Sequence, residues 1–161
     1  MRVVAIKKKS VIISFVILVC GIAIILWMNI PRNIDVEYRG IQYKMGTETN
    51  EEVNIKINGK LYNNDVFKGK IVIDNLDFTK EYDMLPIVFD RNIMNGMGSL
   101  VYTTVVNGEP ILRMVGTIRS KDNFSEVYIT TNKTENKDEL IIAAPAHNLE
   151  EFNKIKKEIG K

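Results

Sequence analysis

The 161-residue chain contains one cysteine, one histidine and one tryptophan. The cysteine, Cys20, falls in an apolar run near the N-terminus, so no disulfide can staple the remainder of the chain. With His147 as the only imidazole, a zinc centre by the usual ligand rules is excluded. Beyond residue 33 the only serines are Ser99, Ser120 and Ser125, and none sits in a nucleophile motif. A sortase-like mechanism lacks its cysteine there, and a Ser–Lys peptidase lacks a serine close after the apolar run. Acidic residues are missing from the first 32 positions, which hold five of the 22 Lys and Arg residues. All 20 acids come later, so the sequence from Asn33 onward is acidic by three charges. That balance gives no electrostatic reason to expect nucleic-acid binding.

The most informative stretch has no charge at all. Ser10–Ile30 reads SVIISFVILVCGIAIILWMNI between Lys9 and Arg32. As a helix, these 21 residues would be about 31 Å long, the thickness of a hydrocarbon core. Their apolar side chains favour insertion by roughly 4–7 kcal/mol, an upper value that treats every position as central. A buried core helix of that length would carry a polar face, and this one carries none. Arg2, Lys7, Lys8 and Lys9 precede it, Trp27 suits the far interface, and Pro31 ends the helix. The expected organisation is a cytoplasmic basic N-terminus (residues 1–9), a transmembrane helix (10–30), a short linker (31–33) and an extracytoplasmic β-rich domain (34–161). Signal-peptide cleavage after the small residues Gly21 and Ala23, and lipidation of Cys20, are both disfavoured because the apolar run continues past them. Cys20 then reads as a small packing residue.

From Asn33 the pattern changes to strands. Asn33–Met45 alternates, with an interruption expected near Gly40. VNIKI (53–57) leads into Asn58-Gly59, a dipeptide suited to a tight hairpin, with Lys60–Tyr62 returning. Val66–Ile73 follows, where Gly69 marks a bulge or a close crossing. Asp74–Asp83 reads as a loop, and Leu85–Phe89 with Pro86 as a segment at a sheet edge or a strand start. Leu100–Val106, apolar on both faces, reads as a central strand, and Asn107-Gly108 as a second hairpin into Ile111–Arg119. Phe124–Thr130 and Leu140–Ala144 complete the strands. Asn148 and Glu151 have capping-box-like spacing, and Leu149, Phe152, Ile155 and Ile159 recur at helical spacing, which predicts a C-terminal helix over 148–159. This helix is expected to lie on the sheet; its lysines also allow a rival placement on a membrane surface. The fold class is mainly β (α+β): a transmembrane helix, then an antiparallel β-sandwich or roll with a short C-terminal helix.

The stretch FKGKIVIDNLDFT (67–79) resembles segments of small cell-envelope proteins of Gram-positive bacteria, a resemblance that covers about a third of the chain with its lead-in and carries over no activity. Asp74, Asp77, Asp83 and Asp90 are the one acidic grouping that a calcium ion or a carboxylate-dependent hydrolase or transferase would use, but their spacing matches no ligand loop. No catalytic residue, metal ligand or cofactor is expected. The expected function is a membrane-anchored, non-catalytic binding module for a protein partner, a cell-wall polymer or a small ligand, held in the bilayer through residues 10–30. The alternatives are a small structural subunit of a membrane assembly, packing through Cys20, Gly21 and Ala23, and a cell-envelope hydrolase or transferase using carboxylates of the 74–90 region.

Overall fold

The computed structural model describes residues 13–22, 30–46, 49–90, 96–132 and 139–160. The chain divides into two compact units, Met1–Pro31 and Arg32–Lys161. In the first, residues 13–22 are helical (α1), with the side chains of Cys20 and its apolar neighbours exposed. No helix among the described residues is long and apolar enough to cross a membrane. Residues 10–12 and 23–29 of the expected span, Ala23 and Trp27 among them, and the preceding Lys7–Lys9 lie outside the described residues.

Among its described residues, the second unit forms one antiparallel sheet of nine strands with two helices. In chain order these are β1 (Arg32–Lys44), β2 (Asn50–Leu61), β3 (Val66–Ile73), α2 (Phe78–Glu81), β4 (Asp83–Met84), β5 (Ile87–Val88), β6 (Met97–Val106), β7 (Glu109–Lys121), β8 (Glu126–Thr131), β9 (Leu140–Ala144) and α3 (Leu149–Ile159). The spatial order is β4-β6-β7-β8-β9-β1-β2-β3-β5. The two end strands are consecutive in sequence, so one short segment serves both ends. Leu85 N–H bonds to Val101 of β6 at 2.9 Å, and Phe89 N–H bonds to Asp65 beside β3 at 2.9 Å. Pro86, which has no N–H to give, sits where the segment changes partner. Of the expected arrangements the roll describes this curled sheet more closely.

The concave side is filled by Ile34, Val53, Ile55, Ile57, Ile71, Ile73, Ile118, Val127, Ile129 and Ile142, with Phe67 and Phe124 among them. Alternation along β1 and β2 turns one face of each strand inward, as a half-buried sheet requires. Outside the curl, α3 lays Phe152 and Ile155 on Ile41, Tyr128, Ile141 and Ala143. Its apolar stripe is thus used on the sheet, and the rival placement on a membrane surface is corrected. Asn148 caps the helix, its Oδ1 accepting from Glu151 N–H at 2.9 Å, while the Glu151 carboxylate accepts from His147 N–H at 2.7 Å.

Several local expectations are corrected. Asn58-Gly59 is not a turn: β2 runs through it, and the chain reverses at Tyr62–Asp65, where Tyr62 N–H and Val66 C=O close the loop at 2.9 Å. Gly69 marks no bulge. It faces Gly59, and an added Cβ on Gly59 would lie 2.6 Å from Gly69 Cα and 2.8 Å from the Phe67 ring. The bulge is instead at Leu100/Val101, opposite Val115. Gly40 does not interrupt β1; a Cβ there would lie 2.9 Å from that of Ala144, so the glycine admits β9. The expected loop 74–83 contains α2, whose buried Thr79 Oγ1 accepts from Ile73 N–H at 2.9 Å. Phe124 precedes β8 in a turn rather than opening the strand.

Candidate functional site

The four aspartates do not form a site. Asp74 and Asp77 both face Lys80, at 3.9 and 3.7 Å. Asp83 lies in β4 opposite Thr103, whereas Asp90 bridges to Met97 at the other end of β6. No group of three His, Cys, Asp or Glu side chains suited to a metal occurs among the described residues. His147 is exposed ahead of the cap of α3. Ser99 is exposed in β6, opposite Thr117, and Ser125 closes the β7–β8 turn by donating to Lys121 C=O.

Two surfaces stand out among the described residues, at opposite ends of the curled sheet. The first is an open cleft of about 460 Å³ at the end where β1 begins, lined by Arg32, Asp65, Phe89, Ser120, Asp122 and Asn123 among others. Arg32 Nη1 donates to Asn123 Oδ1 at 2.9 Å. The floor is set by the β7–β8 turn, where Asp122, Asn123 and Phe124 all have positive φ (36°, 59° and 67°). Three consecutive non-glycine residues in that region are costly and persist only where packing over-determines them. Here Phe124 is fully buried, its ring 4.7 Å from that of Phe67 and 5.6 Å from that of Phe89, so it stoppers this end of the core. On the rim, Lys121 donates to Glu158 at 2.6 Å. That hydrogen bond holds the Lys121 ammonium above its usual range and the Glu158 carboxyl below the usual carboxylate range. The cleft therefore mixes both signs of charge, already partly paired.

The second surface is the end of the β6–β7 hairpin. Asn107 and Gly108 have φ of 53° and 84°, the tight turn that the dipeptide predicts. β4 accompanies β6 only to Thr103, and β8 accompanies β7 only from Gly116. Among the described residues, Thr104–Val106 and Glu109–Ile111 thus form a two-stranded ribbon beyond the sheet, and Leu112–Met114 below it pair with β6 alone. Val105 (68% exposed), Leu112 (64%) and Met114 (53%) share the outer face of the hairpin, next to exposed Pro110. Leu85, also exposed, lies opposite Val101 on the same face, as the pairing of Met84 with Tyr102 requires. On the other face Arg113 stacks 4.3 Å over the Phe78 ring and Tyr102 donates to Ile71 C=O at 2.5 Å, while Val106 and Ile111 nearer the tip are exposed. Burial pushes the Tyr102 phenol above its ordinary range, so it stays a donor. The sequence expectation of a central, two-sided strand at 100–106 is corrected here, since its outer half is bare.

A smaller polar group closes the rim above the core. Buried Gln42 donates to Glu51 at 2.8 Å and accepts from Asn75, so its burial is matched by hydrogen bonds within the chain. No family model, curated protein or solved structure matches the chain.

Proposed function

We propose that the protein is a membrane-anchored, extracytoplasmic interaction module that binds a protein partner through the outer face of the β6–β7 ribbon and performs no catalysis. The observation that carries this reading is the ribbon itself. Val105, in the part of the hairpin past the sheet, and Leu112 and Met114, where β7 has left β8, are exposed on one face. A contiguous exposed apolar face in a water-soluble domain is characteristic of a docking surface. Residues 10–30 would span the bilayer with residues 1–9 inside, as the uncharged run and its lysines favour. The ribbon would then project from the end of the domain opposite Arg32. β6 runs ten residues from the cleft end to the tip, roughly 30 Å at the usual rise per residue.

The test is a photo-crosslinking residue placed in the full chain at Leu112, at Val105 and, as a control on another outer face, at Val72, with irradiation in the protein's own cells. Adducts of one defined mass at Leu112 and Val105, absent at Val72 and abolished by Met114→Asp, support the reading. Equal adducts at all three positions, or none at the ribbon, overturn it.

A further inference from the structure

Beyond the ribbon, the opposite end of the domain has a second surface with a different chemistry. Lys60 of β2 and Lys68 of β3 are direct cross-strand partners on the outer face, and Lys70 follows in the next row beside Asn58. Directly opposed like charges destabilise a sheet, so a surface that keeps them points to an anionic partner. No carboxylate among the described residues pairs with Lys60 or Lys68. Lys68 instead lies 5.1 Å over the Tyr62 ring, and Lys70 donates only to a backbone carbonyl, that of Lys80. Beside them Val88 is 60% exposed, opposite Val66 at the start of β3. Of the acids at this end, Asp65 and Asp122 line the cleft, and Asp35, one row from Lys60 on the same outer face, accepts from Asn58 Nδ2 at 3.1 Å.

Lysines beside an exposed aliphatic and a tyrosine are the composition of a membrane-interface contact. The position agrees. Arg32, the first residue of β1, pairs with Leu61, and Asn33 with Lys60, so the lysine pair lies at the end where the chain enters the domain. Only Pro31 separates Arg32 from Ile30, the last residue of the uncharged run, and each residue spans at most about 3.6 Å.

We infer that the Lys60–Lys68 face, with Tyr62 and Val88, docks the β domain on anionic phospholipid headgroups of the bilayer that anchors it. This rests on the membrane-anchor reading. Such docking is electrostatic and short-ranged, and so depends on lipid charge and salt. It would hold the cleft end against the headgroups and leave the ribbon clear of them.

The full chain, with Cys20→Ser, is labelled with a fluorophore at Asn64→Cys beside the lysines or at Glu109→Cys near the ribbon tip. It is reconstituted in vesicles of phosphatidylcholine, alone or mixed with phosphatidylglycerol, each carrying a headgroup nitroxide. The expected result is severalfold stronger quenching at residue 64 on the anionic vesicles, lost in high salt and in Lys60→Glu/Lys68→Glu, with residue 109 unaffected. Equal quenching on both lipid compositions, or no effect of charge reversal, overturns the inference. Dextran sulfate bound as tightly to the chain in neutral vesicles as the domain binds anionic ones would also overturn it, in favour of a general polyanion site. Alkaline washing reports separately on the anchor. A chain that washes off refutes the anchor, and the same labels then read docking of the washed chain, so the two failures are distinguishable.

Discussion

At the residue scale, the core depends on a few positions where size is set to within a methyl group. Gly59 and Gly69 face each other, and the Phe67 ring covers both; a Cβ on either would lie 2.8 Å from the ring tip. Gly69→Val would force two backbones and a fully buried ring apart, a cost of about 3 kcal/mol or more on the scale of overpacked cores. Phe124 is the complementary case. Truncation to Ala leaves the strained turn without the packing that holds it, and is expected to cost about 3–5 kcal/mol. Urea midpoints of the two variants check both, with Asn64→Ala in the exposed turn as the neutral reference. The Lys121–Glu158 pair gives a pH signature with opposite signs at its two ends. The lowered Glu158 value contributes stability above the ordinary glutamate range, lost as pH falls through the folded value. The raised Lys121 value contributes stability below the ordinary lysine range, lost as pH rises through the folded value. Glu158→Gln should therefore flatten the acid limb of the urea midpoint against pH, and Lys121→Met the alkaline limb. Both groups are solvent-exposed, so the flattening is small and is suppressed by salt.

At the element scale, α3 shows how much local chemistry can determine. Asn148, Glu151 and the spacing of Phe152 and Ile155 were sufficient to place the helix and its cap, because those signals act within one turn of chain. Asn148→Ala should cost about 1 kcal/mol, read as a lowered urea midpoint and faster amide exchange in the first turn of α3. The two Asn-Gly dipeptides show where local signals stop. Asn107-Gly108 makes its turn, while Asn58-Gly59 is drawn straight. A reversal at 58–59 would leave only Lys60–Tyr62 to pair back. Reversal at Tyr62–Asp65 lets β2 pair with β1 along its full length and sets Ile55 and Ile57 opposite Ile73 and Ile71. Burial of that row outweighs a turn preference, and the contest cannot be read without the partner strand. The ribbon was hidden for the same reason. Apolar residues on both faces at 100–106 fit a central strand equally well, and only the lengths of β4 and β8 leave the outer face bare. The lysine face was likewise invisible until the register set Lys60 against Lys68.

At the scale of the whole molecule, the fold turns on one irregular segment. Sequence placed Leu85–Phe89 at a sheet edge or a strand start because of Pro86, and it does lie at an edge, but at both edges at once. Leu85 bonds to β6 and Phe89 to the chain beside β3, with Ile87 fully buried between them. Nothing in a single sequence reports that the two ends of a sheet come together, since this is a consequence of accumulated twist across every strand. If the segment joins the two ends as a unit, its hydrogen bonds open together. Ile87→Ala removes the buried side chain that fixes the segment and should cost about 2–5 kcal/mol. The amides of Leu85 and Phe89 should then exchange faster by the same factor, while the amide of Ile142 in buried β9 changes only as far as global stability falls. Acceleration of Leu85 alone would mean that the β6 end peels away while the β3 end holds, and the segment would then be two independent edge contacts. Joint acceleration would make it the latch that keeps the lysine face and the ribbon on one rigid body, which the proposed division of labour between the two ends requires.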